Sequence, residues 1–127
     1  MEATVFACST AGVATLEAAA KSIFELLGLE SIEERESSNY VGGHYFLGHA
    51  ANASVEVCLS DGSTMPEYPF WISIEPLARP VKGATRTIDA KESAIATTLA
   101  KNGWRIFVPV GRWGHKSWDG QGTVYAA

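Results

Sequence analysis

The sequence contains little cysteine and no long hydrophobic run. Cys8 and Cys58 are its only cysteines, whereas a small secreted domain usually carries a denser, even set. No apolar stretch approaches the roughly 20 residues that a membrane-spanning helix needs. The first residues, Met1-Glu2-Ala3-Thr4, lack the basic start of a signal peptide. These absences predict a soluble cytoplasmic protein with reduced cysteines and no membrane partner.

Motifs that carry catalysis are also absent. The chain has no G-x-x-x-x-G-K-S/T phosphate loop, no G-x-S-x-G elbow, no H-E-x-x-H and no C-x-x-C. His44 and His49 are five residues apart, so on a regular strand they point to opposite faces and cannot share a metal ion. His115 could act as a base beside Asp119 or Cys58, but nothing in the sequence brings these residues together. We therefore predict no catalytic residue, no metal and no cofactor.

Charge is distributed unevenly along the 127 residues. The net charge is −4, but residues 1–63 carry nine acidic and two basic side chains, whereas residues 64–127 carry five acidic and eight basic ones. A dedicated nucleic-acid-binding protein needs clustered cations to displace counterions from phosphates. The balance therefore predicts no nucleic-acid partner. The length and the ordinary hydrophobic content predict one domain, residues 1–127, with one core.

Two segments have the periodicity of helices. Apolar residues recur at spacings of three and four between residues 10 and 27, and Gly28 supplies the left-handed residue that commonly ends a helix. Asp89 and Glu92 have the spacing of a capping box, which predicts that a second helix begins at Asp89 and closes at Asn102-Gly103.

The other patterned segments predict strands. Residues 53–59 and 70–74 alternate between apolar and polar side chains, as half-buried strands do. Residues 40–50, 104–110 and 123–125 read as further strands, and residues 4–8 as an edge strand or a lead into the first helix. The prediction is an α+β fold, with a mainly antiparallel sheet of four to six strands and two helices packed on one face.

The acidic run in residues 29–39 is the first candidate binding surface. This segment reads as a connector or a loose helical turn, and in a helix Glu30, Glu33 and Glu34 would share one face. A solvated acidic face is the simpler interpretation. The functional one is a negative surface that speeds the capture of a basic partner.

The aromatic tail is the second candidate. Trp113 and Trp118 lie among basic residues and could clamp a ligand or cover a small sheet, whereas Trp104 is assigned to the core. The residues predicted to bind a partner are Glu30, Glu33, Glu34, Glu36, Asp61, Trp113 and Trp118.

In its general character and its acidic run from Glu30 to Glu36, the chain resembles the immunity proteins of bacterial toxin systems, including contact-dependent inhibition. The resemblance implies tight binding to one cognate toxin domain, often a basic nuclease, and blockage of its active site or another essential surface. Two alternatives remain: a small-molecule pocket under the C-terminal tail that is rich in glycine and tryptophan, with or without catalysis, and a subunit of a homo-oligomer joined by sheet edges.

Overall fold

In the part of the chain that the structure describes, seven strands and two helices form an α+β fold. The computed structural model describes residues 3–9, 15–60, 67–79, 84–110 and 120–126. In chain order the elements are β1 (Ala3–Ser9), α1 (Leu16–Leu27), β2 (Glu30–Glu36), β3 (His44–His49), β4 (Ala53–Leu59), β5 (Phe70–Pro76), α2 (Glu92–Ala100), β6 (Trp104–Pro109) and β7 (Gly122–Tyr125).

The strands form one antiparallel sheet in the order β2-β3-β4-β5-β1-β6-β7. β1 lies in the interior and pairs with β5 and β6, so the prediction of an edge strand is wrong. Val5 and Phe6 point to opposite faces, and both are fully buried. A strand whose two faces both need cover is poorly suited to an edge. The sheet is wider than predicted because the acidic segment contributes the additional strand, β2.

Both helices pack on one face of the sheet, which we call the helix face. Val5, Val57, Ile72 and Ile106 of the sheet form one core with buried residues of α1 and α2, and Trp104 belongs to it as predicted. Burying one such aliphatic or aromatic side chain contributes about 1.5–3 kcal/mol. The helices therefore stabilise the strands that they cover, which are mainly those at the centre of the sheet.

The opposite face, which we call the far face, carries a smaller aromatic cluster. Phe6 stacks between Trp71 and Phe107, with ring centroids 5.8 Å from each. Tyr68 is buried in the same cluster, and its hydroxyl accepts a hydrogen bond from Arg105 Nε at 3.3 Å. The sheet therefore has apolar cover on both faces near β1.

The C-terminal end of α1 follows the sequence pattern, but the helix begins later than the predicted residue 10. Leu16 is its first residue, and the side chain of the preceding Thr15 accepts a hydrogen bond from the backbone N–H of Ala18 at 3.2 Å. Gly28 ends the helix with a φ of 72°, a conformation that costs glycine little. Of the predicted range, residues 10–14 lie outside the described part of the chain.

The predicted capping box of α2 is wrong. The helix begins at Glu92, after Lys91, whose side chain makes no capping hydrogen bond. Asp89 instead accepts a hydrogen bond from the backbone N–H of Lys91 at 3.1 Å. A short aspartate side chain readily closes such a local turn, which competes with capping.

The acidic segment is a strand and not a connector or a helical turn. β2 pairs with β3, and the register shifts between Glu30 and Glu33. Ser31 lies in this shift with a φ of 54°, which is the local conformation of a bulge. The two strands are connected by residues that include a 3₁₀ turn at Val41–Gly43. The expectation that Glu30, Glu33 and Glu34 share a helix face is therefore wrong, because successive strand residues alternate between faces.

Both cysteines are free thiols on the far face. Cys58 lies on β4 and Cys8 on β1, with β5 between them, a separation of about 10 Å at ordinary strand spacing. A disulfide requires Cα atoms within about 7 Å of each other. Burial, with a smaller effect from Glu56, raises the pKa of Cys58 to about 12, and burial also raises that of Cys8.

We predict that Cys58 resists alkylation in the folded protein. Because the thiolate is the reactive form, iodoacetamide at pH 8 should modify native Cys58 at least ~100-fold more slowly than Cys58 in the urea-unfolded chain. Mass spectrometry of timed reactions measures both rates, and Cys8 serves as the internal comparison. Rapid labelling of Cys58 in protein that remains folded, or an intramolecular disulfide, would contradict the prediction.

Candidate protein-binding site at strand β2

The side chains of β2 divide between the two faces of the sheet. Glu34 pairs with Phe46, which belongs to the core beneath the helices, so Glu34 lies on the helix face. Glu36 lies on the same face because it is two residues further along. Glu33 and Arg35 lie on the far face. The structure thus gathers the four predicted acids of this run on one strand but gives them different surroundings.

Glu30 binds the loop that precedes α2. Its carboxylate accepts hydrogen bonds from the backbone N–H groups of Thr85 and Arg86 at 2.6 and 3.3 Å, and from the Thr85 hydroxyl at 3.3 Å. These hydrogen bonds, mainly those from the two backbone amides, lower the pKa of Glu30. Glu30 therefore attaches the loop before α2 to the start of β2.

Glu33 belongs to a hydrogen-bonded chain that crosses three strands. Its carboxylate lies 2.8 Å from Nε2 of His49, and Nδ1 of His49 lies 2.7 Å from the Ser54 hydroxyl. His49 and Ser54 are both buried. The hydrogen bond from His49, followed by the charge of Arg35, lowers the pKa of Glu33. We call the chain Glu33–His49–Ser54 the far-face clamp, because it connects β2 to β3 and β4.

The far-face clamp contains the residue types of a serine hydrolase triad, but its surroundings do not suit acyl transfer. Ser54 borders a depression of about 40 Å³ that is also lined by Glu56 and Glu75. Catalysis at a serine needs donors that stabilise a developing oxyanion. Two carboxylates oppose that charge. We therefore interpret the clamp as a structural connection between strands.

A second far-face contact supports the hairpin of β2 and β3. The rings of Tyr40 and Tyr45 stack with centroids 4.1 Å apart, and the Tyr40 hydroxyl donates a hydrogen bond to Glu56 at 2.8 Å. Burial, together with this hydrogen bond, raises the pKa of Tyr40. The residues between β2 and β3 are thereby attached to β4.

Glu34 and Glu36 are the acids of β2 that face the helix side. Oε2 of Glu34 lies 3.0 Å from Nδ1 of His44, and the Glu34 side chain is 55% exposed. Glu36 is also exposed. Both carboxylates are therefore accessible to a partner.

An apolar groove of about 380 Å³ lies between α1 and β2, and we call it the α1–β2 groove. It arises because α1 contacts β3 and β4, which leaves the outermost strand less covered. Ile32 of β2 forms one lip and is 50% exposed. The remaining lining comprises Ala20, Phe24, Leu29 and Phe46, with the charged side chains of Glu17, Lys21 and Glu25.

Gly48 explains why the end of α1 can pack so closely on the sheet beside the α1–β2 groove. A Cβ atom at this position would lie 3.0 Å from the nearest side-chain atoms of both Leu29 and Phe24. Such spacing is tighter than ordinary van der Waals contact, so any larger residue would push against the end of α1. The glycine on β3 therefore permits the close approach of α1.

The sequence analysis selected the acids of β2 as candidate binding residues, and this stays a prediction. It did not anticipate the α1–β2 groove or the far-face clamp. The one signal for the groove is Ile32, an isolated apolar residue within the acidic run that alternates with Glu34 and Glu36 on the same face. Asp61, Trp113 and Trp118, together with His115 and Asp119, lie outside the described residues.

His44 and His49 lie on opposite faces of the sheet and do not share a site. His44 contacts Glu34 on the helix face, whereas His49 belongs to the far-face clamp, so the prediction that they point to opposite faces is confirmed. Within the described residues, no three potential ligands cluster in a way that could hold a metal ion. In the same part of the chain, no helix has the length and apolar character needed to cross a membrane.

Comparisons with protein-family models, curated proteins and solved structures found no match to this chain.

We predict that the Glu30 contact contributes to stability at neutral pH and is lost in acid. Its folded-state pKa is lowered, so the contribution is fully present above the unfolded value of about 4.3 and disappears as the pH falls through the folded value. Glu30→Gln should therefore lower the melting temperature at pH 7. In strong acid, the melting temperatures of the variant and the parent protein should become equal.

Thermal unfolding from pH 7 to pH 2 tests this prediction. The matched control is Glu75→Gln, which removes an exposed carboxylate on the far face of β5. It should lower the melting temperature at pH 7 less than Glu30→Gln does. Equal effects of the two substitutions at every pH would contradict the assignment of a specific role to Glu30.

Proposed function

We propose that this chain is a non-catalytic binding protein of the immunity type, which neutralises a cognate toxin domain through the acidic edge of its sheet. The observation that carries the proposal is the placement of Glu34 and Glu36 on β2 beside the α1–β2 groove. Charge at the edge and an apolar recess next to it are the two elements of a protein-binding surface.

The edge position of β2 gives its charges two effects. An edge strand carries backbone groups on which another chain can pair, and charged side chains discourage such pairing with an arbitrary strand. For a partner with basic side chains, the same charges favour association, because opposite charges attract the partner as it diffuses towards the edge. The same acids can therefore exclude most chains and favour a basic one.

The charge on this surface also indicates which partners are unsuitable. Glu17, Glu25, Glu34 and Glu36 surround the groove region, with Lys21 among them. This balance disfavours the phosphates of nucleic acids and the anionic headgroups of membranes. A basic toxin domain, such as a nuclease whose surface binds nucleic acid, is electrostatically complementary. Blocking that surface in the cytoplasm is the activity that we assign to the protein.

A second candidate function is the binding of a small molecule in the α1–β2 groove. Its volume of about 380 Å³ falls within the usual range for ligand sites, about 300–1,000 Å³. This location differs from the predicted pocket under the C-terminal tail, much of which lies outside the described residues. A metabolite that raises the melting temperature at micromolar concentration would favour this second function.

We predict that reversing the charges of Glu34 and Glu36 slows association with the toxin. The probe is the C-terminal toxin domain encoded by the neighbouring reading frame. The double variant Glu34→Lys with Glu36→Lys should reduce the association rate constant about tenfold at low salt and flatten its salt dependence. These residues are preferable to Glu33, whose replacement would also break the far-face clamp.

The matched control is Glu67→Lys with Glu75→Lys, two exposed acids whose reversal changes the net charge by the same amount. Stopped-flow or surface-plasmon kinetics at two salt concentrations measures both variants. The control should associate nearly as fast as the parent protein. Equal slowing by both pairs of substitutions would show that association depends on the overall net charge and not on the charges of β2. If the parent protein does not bind the toxin, the toxin is rejected as the partner.

A further inference from the structure

We infer that the α1–β2 groove receives an apolar side chain of the partner that has basic residues on either side of it. This inference rests on the proposed function and specifies the chemistry of the partner's recognition segment. In this arrangement the acids set the rate of association, and the groove sets the rate of dissociation.

The first argument is the composition of the groove. Its floor contains Phe24 and Phe46, which are mostly buried, and its lip is Ile32, of which half is exposed. Ile32 is not part of the buried core, and half of its surface is in contact with solvent. Covering it would remove apolar surface from water, which contributes about 25 cal/mol per Å². The groove therefore suits an apolar side chain.

The second argument is the local backbone of β2. Ser31 adopts the left-handed conformation, and the pairing register with β3 shifts between Glu30 and Glu33. A bulge of this kind redirects the side chains next to it. After this shift, Ile32 lines the groove and the adjacent Glu33 enters the far-face clamp, because successive strand residues point to opposite faces. The shift sets apart Glu30, which precedes it, and regular alternation then separates the apolar lip from the structural acid.

The third argument is the charge around the groove. On one side of the groove, Glu17 and Glu25 flank Lys21 along the exposed side of α1. On the other side of the groove, β2 carries Glu34 two residues after Ile32. Two walls with excess negative charge favour cations on both sides of the bound apolar group. A neutral lipid-like ligand gains nothing from these walls, and an anionic one is repelled. The combination identifies a basic segment with an apolar residue at its centre.

The experiment uses the full chain and synthetic peptides as probes. Ac-KLKFKLK-NH₂ supplies the proposed chemistry, Ac-KSKSKSK-NH₂ keeps only the charge, and Ac-ELEFELE-NH₂ keeps only the apolar residues. Methyl NMR should show shifts at Ala20 and Ile32 with the first peptide, and much weaker shifts with the other two. Equal occupation by the acidic peptide, or no shift at these methyl groups with the first peptide, would overturn the inference.

Variants distinguish the groove from the acidic edge. Ile32→Ser should lower the affinity for the first peptide roughly fivefold, mainly through faster dissociation, as expected for the loss of one apolar contact. Val124→Ser is the matched control, because Val124 is similarly exposed on the other outer strand, β7, and it should leave the affinity unchanged. Unchanged affinity in Ile32→Ser would overturn the groove assignment.

The experiments distinguish failure of the groove inference from failure of the proposed function. Slower toxin association in the charge-reversed double variant, together with unchanged toxin dissociation in Ile32→Ser, would leave the proposed function intact and reject the groove. Peptide binding that depends on Ile32 in a protein that does not bind the toxin would support the groove and reject the toxin. Binding of neutral decanol at the same methyl groups, without binding of any peptide, would reject the inference in favour of a small-molecule site.

Discussion

Strand β2 is held at the sheet edge by hydrogen bonds and not by a buried face. None of its seven residues is buried, so the hydrophobic effect contributes little to its position. Its ladder with β3 supplies the regular attachment, and two side-chain contacts reinforce it. Glu30 accepts hydrogen bonds from the loop before α2, and Glu33 joins the far-face clamp. The proposed binding surface depends on these contacts because they fix an otherwise exposed strand.

This attachment divides the acids of β2 into two pairs with different surroundings. Glu30 and Glu33 accept hydrogen bonds within the protein, so their charge is already partly compensated. Glu34 and Glu36 lie on the helix face, where the sheet extends beyond α1. A partner that approaches this edge therefore meets the second pair together with the apolar recess. Strand geometry separates Glu33 from Glu34 and Glu36, because neighbouring residues face opposite sides, and Glu30 lies before the register shift.

Which features could be predicted from the sequence depends on how local their causes are. Helix α1 has a repeating apolar stripe and a glycine at its end, and both act within a few residues. The alternation in β4 and β5 is equally local. The capping box of α2 was misread because Asp89 makes a shorter-range turn to Lys91. β2 was misread because its charged residues have no strand pattern of their own.

The sequence by itself determined the α+β class, the apolar stripe of α1, the two alternating strands and the opposite directions of His44 and His49. Each follows from the geometry of neighbouring residues. Only the tertiary structure decided that β1 is interior, that the acidic run is an edge strand, and that Glu33, His49 and Ser54 meet. Those features depend on contacts between residues far apart in the chain, and the strand order that creates them is not encoded in any local period. The α1–β2 groove has the same origin, because it exists only where a helix leaves the outer strand uncovered.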